Sequence, residues 1–143
     1  MSQSIKQDSI WNGIYKLGGV AALGAVVTGL LEIGITFLPG GNASQETVID
    51  WFILFQEYPF MGLRNLGLLN IFLNTLAIFT YLALYAAHKD DTNKPLAALA
   101  MIISFLGISV FFSTNRALPM LAVSQEYAAA MTEAQRAMLE AAG

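Results

Sequence analysis

Three apolar runs of membrane-crossing length, with charges confined almost wholly to their ends, constrain this chain more than any other feature. Leu17 to Leu38, "LGGVAALGAVVTGLLEIGITFL", holds 22 residues and a single charge. Leu66 to Ala87, "LGLLNIFLNTLAIFTYLALYAA", has the same length and no charge, with Arg64 before it and His88-Lys89-Asp90-Asp91 after it. Pro95 to Phe112, "PLAALAMIISFLGISVFF", is 18 residues opening on a proline, whose missing N–H and fixed φ suit a first helical turn. At 1.5 Å per residue the two longer runs cover ~33 Å, enough for a hydrocarbon core of ~30 Å, and the third is near the lower limit. Composition agrees, with 56% hydrophobic and 12% charged residues against roughly 25% charged in a soluble domain. Buried helices of a soluble protein are the alternative reading of each run.

The remaining segments are too short or too polar to span. Between the first two runs lies "PGGNASQETVIDWFILFQEYPFMG". Pro39-Gly40-Gly41 ends one helix, Ser44 can cap the next, and Glu46 sits where a helix N-terminus favours negative charge. A helix over about 45–58 would put Glu46, Asp50 and Glu57 on one face, with Trp51, Phe52, Phe55 and Tyr58 over much of the rest, as in an interfacial or re-entrant helix at the aromatic belt; Pro59 should end it. Ile10, Trp11, Ile14 and Tyr15, with Lys6 and Lys16 on the polar side, read as a short interfacial approach to the first span. A signal peptide is the alternative there, since Gly41-Asn42-Ala43 offers small residues, but 22 apolar residues exceed the usual h-region of about 7 to 15, which favours an uncleaved anchor. Asn42-Ala43-Ser44 is also a glycosylation sequon, a weak three-residue match. Beyond Asn115 and Pro119 the composition is helix-forming over 117–131. Thr132 with Gln135 then matches a capping box, and Gly143 can end a second short amphipathic helix over 133–142.

The expected architecture is therefore an all-α integral membrane protein forming a single membrane domain. It has three transmembrane helices (17–38, 66–87, 95–112), an interfacial helix between the first two, and short amphipathic surface helices at the C-terminus. Lys6, Lys16, Lys89 and Lys94 would share one side, and Arg64, Arg116 and Arg136 the other. By the positive-inside rule the N-terminus is cytoplasmic and the C-terminus outside, in a cell inner membrane.

Glu32 is the one acid within a span, about 9 Å below its outer end by helical rise. Asn70 sits at similar depth on the second span and Asn74 follows on the same face, so the three could meet. Ala21, Ala25 and Gly29 form a small-residue seam that permits close helix packing, and Thr28 and Glu32 continue it. Arg64 and Arg116 are the available partners for the glutamate. Helical side chains tilt toward the N-terminus, so Arg116 leans into the membrane and is the better candidate, whereas Arg64 leans away. The cluster of Glu32, Asn70, Asn74, Arg64 and Arg116 reads either as hydrogen-bonded fastening of three helices or as a polar ligand or proton site.

Chemistry beyond that is sparse. The chain has no cysteine, which excludes disulfides and thiolate catalysis. His88, the only histidine, could in principle ligate a pigment or metal, but a metal site needs several ligands and none surround it in sequence. Ser104 and Ser109 have no paired base. No cofactor, metal or catalytic residue is expected. The net charge of −3 without a basic block gives no reason to invoke nucleic acid.

"WFILFQEYPFMGLRNLGLLN", Trp51 to Asn70, and "NRALPMLAVSQEYAAAMTEAQRAMLEAAG", Asn115 to Gly143, resemble a family of uncharacterised multi-spanning prokaryotic membrane proteins carrying a domain of unknown function. The resemblance runs from about Trp51 onward and is most specific in "SQEYAAAMTEAQRAMLEAAG". It implies more spans than this chain has, hence a short form, split subunit or truncated product, and it implies no activity, cofactor or site residue. Three functions stay open: a small non-catalytic subunit or scaffold, associating with lipid and with itself or a larger complex; an oligomeric solute or ion transporter using Glu32 with Asn70 and Asn74; and, least supported, an embedded enzyme. The tail, with nothing after it, is the expected docking place for a partner.

Overall fold

Glycine, alanine and β-branched residues alternate along the first apolar run without a helix breaker until Pro39, and the chain answers with one long helix, α1 (Ser2–Thr36). A computed structural model describes residues 2–41, 44–88 and 92–143, with side chains from Trp11 onward. The Asn42-Ala43 pair, the Lys89–Asp91 charges and the Lys6 and Ile10 side chains lie outside the described residues. Six further helices follow: α2 (Val48–Glu57), α3 (Pro59–Asn65), α4 (Leu68–Ala87), α5 (Lys94–Thr114), α6 (Ala117–Ala129) and α7 (Glu133–Ala142). No strand occurs among the described residues. Three stretches are long and apolar enough to cross a membrane: Trp11–Thr36, Leu68–Ala87, and Lys94–Ala129, which includes α5 and α6.

The boundaries depart from the sequence reading at identifiable points. The approach around Trp11 is not a separate element but part of α1. The second span starts at Leu68 because Gly67 takes a φ of +95°, a conformation L side chains avoid, and so breaks the helix. Pro59 ends α2 as expected from its ring but also opens α3, standing at the first helical position where its missing N–H costs nothing. Thr47, not Ser44, caps α2, in a reciprocal box with Asp50.

The residues cluster into two compact units: Met1–Leu31 with Asn70–Ser113, and Glu32–Leu69 with Thr114–Gly143. In the first unit Gly18 lets α1 approach α4 so closely that a Cβ there would overlap Ala83, and Gly24 faces Leu76. Ala21, Ala86 and Ile108 are buried, Tyr15 donates its hydroxyl to the carbonyl of Ala86 at 3.0 Å, and Val20, Leu23, Val27, Leu30, Leu99, Ile103 and Leu106 face outward.

The second unit has its own core. Phe52, Phe55 and Met120 are buried, with Trp51, Leu63, Leu66 and Tyr127 packed around them. The Phe52 and Tyr127 rings lie 4.8 Å apart, and the buried Ser124 hydroxyl donates to the Phe52 carbonyl at 3.2 Å. This corrects two expectations. The aromatic face of α2 is covered by α3 and α6, because Met120, Ser124 and Tyr127 fall at helical spacing on one side of α6. For the same reason α6 is a core element, not a surface helix. Helix α7 is mostly exposed, and the Thr132–Gln135 capping box forms at its start.

Candidate functional site

The end of α1 creates an electrostatic problem that the second unit solves. The last turn of a helix leaves carbonyls without intrahelical partners and carries partial negative charge. Here Phe37 and Leu38 turn back tightly, donating to the carbonyls of Gly34 at 3.3 Å and Ile35 at 2.9 Å, and Gly40 takes a φ of +80°. Carbonyls crowd against Gly41: a Cβ placed there would lie 2.6 Å from the Ile35 oxygen and 2.7 Å from that of Thr36. Only glycine fits.

Arg64 plugs this end. Its Nη1 donates to the Gly41 carbonyl and to Asn65 Oδ1, each at 2.9 Å, and its Nη2 donates to the Glu32 carbonyl at 2.9 Å and to the Thr36 hydroxyl. Nε lies 2.9 Å from Glu32 Oε1, an ion pair by distance although the N–H is out of line for a hydrogen bond. The arginine side chain is 8% exposed and the glutamate 34%. Asn65 extends the network, its amide donating to the Gly40 carbonyl at 3.1 Å, and the Thr36 hydroxyl donates to the Glu32 carbonyl at 2.8 Å. Asn115 adds a donor to the Leu66 carbonyl at 3.1 Å and accepts from the Ala117 N–H at 3.1 Å. Planar, forked and permanently charged, a guanidinium is the side chain suited to several carbonyls and a carboxylate at once.

Of the residues singled out in the sequence, Glu32 and Arg64 are brought together. Arg116, the preferred partner, is instead exposed at the N-terminal boundary of α6, where its carbonyl accepts from Met120. The tilt argument failed because it attached Arg64 to α4. Arg64 lies in the last turn of α3, separated from α4 by the bend at Gly67, so the direction of α4 does not aim it. Asn70 and Asn74 belong to the other unit: Asn70 is exposed in the first turn of α4, and the Asn74 amide donates to the Asn70 carbonyl at 2.8 Å. In the seam, Ala21 is buried and Ala25 half-buried, while nothing lies within 4 Å of a Cβ at Gly29. Thr36, Gly41 and Asn65 were missed; the Pro-Gly-Gly stop and the Arg-Asn pair were their only signals.

Both Nη atoms of Arg64 are hydrogen-bonded to the chain itself and Nε is ion-paired with Glu32, while no group of three or more potential metal ligands exists among the described residues; there, Glu32 Oε2 and Arg64 Nε are the buried side-chain polar atoms without a hydrogen-bond partner. Outside it, Asp50 accepts from the Thr47 hydroxyl, the Thr47 N–H and the Glu46 N–H, which together hold its carboxyl below the usual range. No known protein family, characterised protein or solved structure matches the chain.

Proposed function

We propose that this chain is a small, non-catalytic integral membrane protein, a subunit or scaffold that assembles with itself or with a larger membrane complex. The observation that carries this reading is the full engagement of Arg64. Among the described residues, the Arg64–Glu32 ion pair is spent on closing the end of α1, which supports a fastening role for this cluster. The outward apolar faces of α1 and α5 supply surface for lipid or a neighbouring subunit. On this reading the N-terminus is cytoplasmic and the C-terminus outside. Single-cysteine labelling at Thr92 and Ser44 from the outer side tests that: Ser44 should label and Thr92 should not.

The transport alternative rests on Glu32 Oε2, an unpartnered carboxylate oxygen able to take a proton. Purification in mild detergent with native mass measurement, on the parent and on Glu32→Gln, separates the two. The assembly reading expects a particle heavier than one chain and, for Glu32→Gln, a loss of stability or assembly. A lone monomer would overturn it, and lost proton flux in vesicles with assembly intact would favour transport.

A further inference from the structure

Within the first unit, a groove of about 400 Å³ opens between α4 and α5, within the size range of small-molecule sites. Its polarity is graded. At the end where the two helices are joined stand His88, just past α4, and Asn93, just before α5; further along, the half-buried Ala97 and Met101 form an apolar floor with the exposed Leu84 and Ala100 at its rim. Ser104 closes the far end but contributes no free donor, since its hydroxyl is bonded to the Ala100 carbonyl at 2.8 Å. By helical rise the distance from Asn93 to Ser104 is about 16 Å.

The mouth carries hydrogen-bonding capacity that the described residues do not use. His88 Nδ1 lies 2.9 Å from the Leu84 carbonyl. A carbonyl only accepts, so Nδ1 is assigned the proton and the neutral ring presents Nε2 as an acceptor. Tyr81 and Tyr85, half-buried residues that also line the groove, make no hydrogen bond through their hydroxyls to the described residues. Both phenol groups are therefore available to a ligand that enters the groove. An acceptor nitrogen and two phenol groups therefore converge over an apolar slot.

We propose that this groove binds a lipid-soluble amphiphile with a hydroxyl head and a single chain or ring body. The head donates to His88 Nε2 and accepts from a tyrosine hydroxyl, and the body lies along Leu84, Ala97 and Met101. The volume is of the size of one such body. The site lies wholly in the first unit and does not depend on the assembly proposed above.

The test uses the full-length protein in lipid nanodiscs and a long-chain fatty alcohol carrying a diazirine in its chain, with adducts mapped by mass spectrometry. Adducts are expected at Ala97 and Met101 at least five-fold above those at Leu99 and Ile103, which point outward from the same helix. Excess unlabelled alcohol should remove them, and an alkane of equal length should not. His88→Ala should weaken labelling about five-fold, and Ala100→Trp, which fills the slot, should abolish it. Equal labelling of Leu99 and Ile103, or equal competition by the alkane, would overturn the site. If either variant misfolds, the adduct map and competition on the parent chain decide the question.

Discussion

Arg64 illustrates how one side chain can set the stability of an element it does not belong to. Removing it strands the Glu32 carboxylate and the carbonyls of Glu32 and Gly41, so Arg64→Ala is expected to cost roughly 3 kcal/mol or more, the range for breaking a buried ion pair. Arg64→Lys keeps the charge but cannot reach carbonyls and carboxylate in three directions, and should still lose ~1.5–3 kcal/mol, the worth of one charge-assisted bond. Thermal unfolding in mild detergent measures both; a lysine variant as stable as the parent would refute the fork argument. Asp50 makes a pH prediction. Its native carboxyl titrates below the ordinary value of about 3.9 because Thr47 and Glu46 donate to the charged form. The stability it contributes is therefore present above pH ~4 and lost as pH falls through the native value. Hydrogen exchange at the start of α2 should accelerate on acidification in the parent and not in Asp50→Asn, where no carboxylate remains to titrate.

Among the elements, α1 and α3 depend on glycines for different reasons. Gly18→Leu would drive α1 off α4 at Ala83, whereas Gly29→Leu enters open space. The first should destabilise by about 1–3 kcal/mol, as overpacking does, and the second by little, a contrast that unfolding of the two variants in parallel would check. In α3, Gly62 has the Phe55 ring 2.6 Å from where a Cβ would sit, so Gly62→Ala belongs with Gly18→Leu. These contacts also mark what the sequence could reveal. The three spans were legible because length and uniform apolarity need no tertiary information, and α7 was legible because a capping box is a local reciprocal bond. The identity of Glu32's partner was not legible. It turns on the bend at Gly67, and glycine in an apolar run reads equally well as a packing residue. The burial of α2's aromatic face was hidden similarly, since an amphipathic helix has the same periodicity whether lipid or α6 covers it.

For the whole molecule, two units mean two different tolerances to shortening. A chain ending after Ala130 would lose α7, whose half-buried Leu139 and Gly143 are its main inward residues, and should stay folded. One ending after Thr114 would also lose α6 and uncover Phe52 and Phe55, each worth about 1.5–3 kcal/mol of burial. Detergent solubility and limited proteolysis should separate the two, with only the second truncation aggregating or being cut between Val48 and Asn65. The plug at the end of α1 also has a consequence in time. Arg64 lies 28 residues beyond the Thr36 hydroxyl it grips. At ~5–20 residues per second of synthesis, α1 is complete roughly 1 to 6 s before its arginine exists. For that interval its final carbonyls and Glu32 must be satisfied by other groups or by water. A synonymous codon change that slows translation between residues 36 and 64 would lengthen their exposure without altering a single atom of the finished protein.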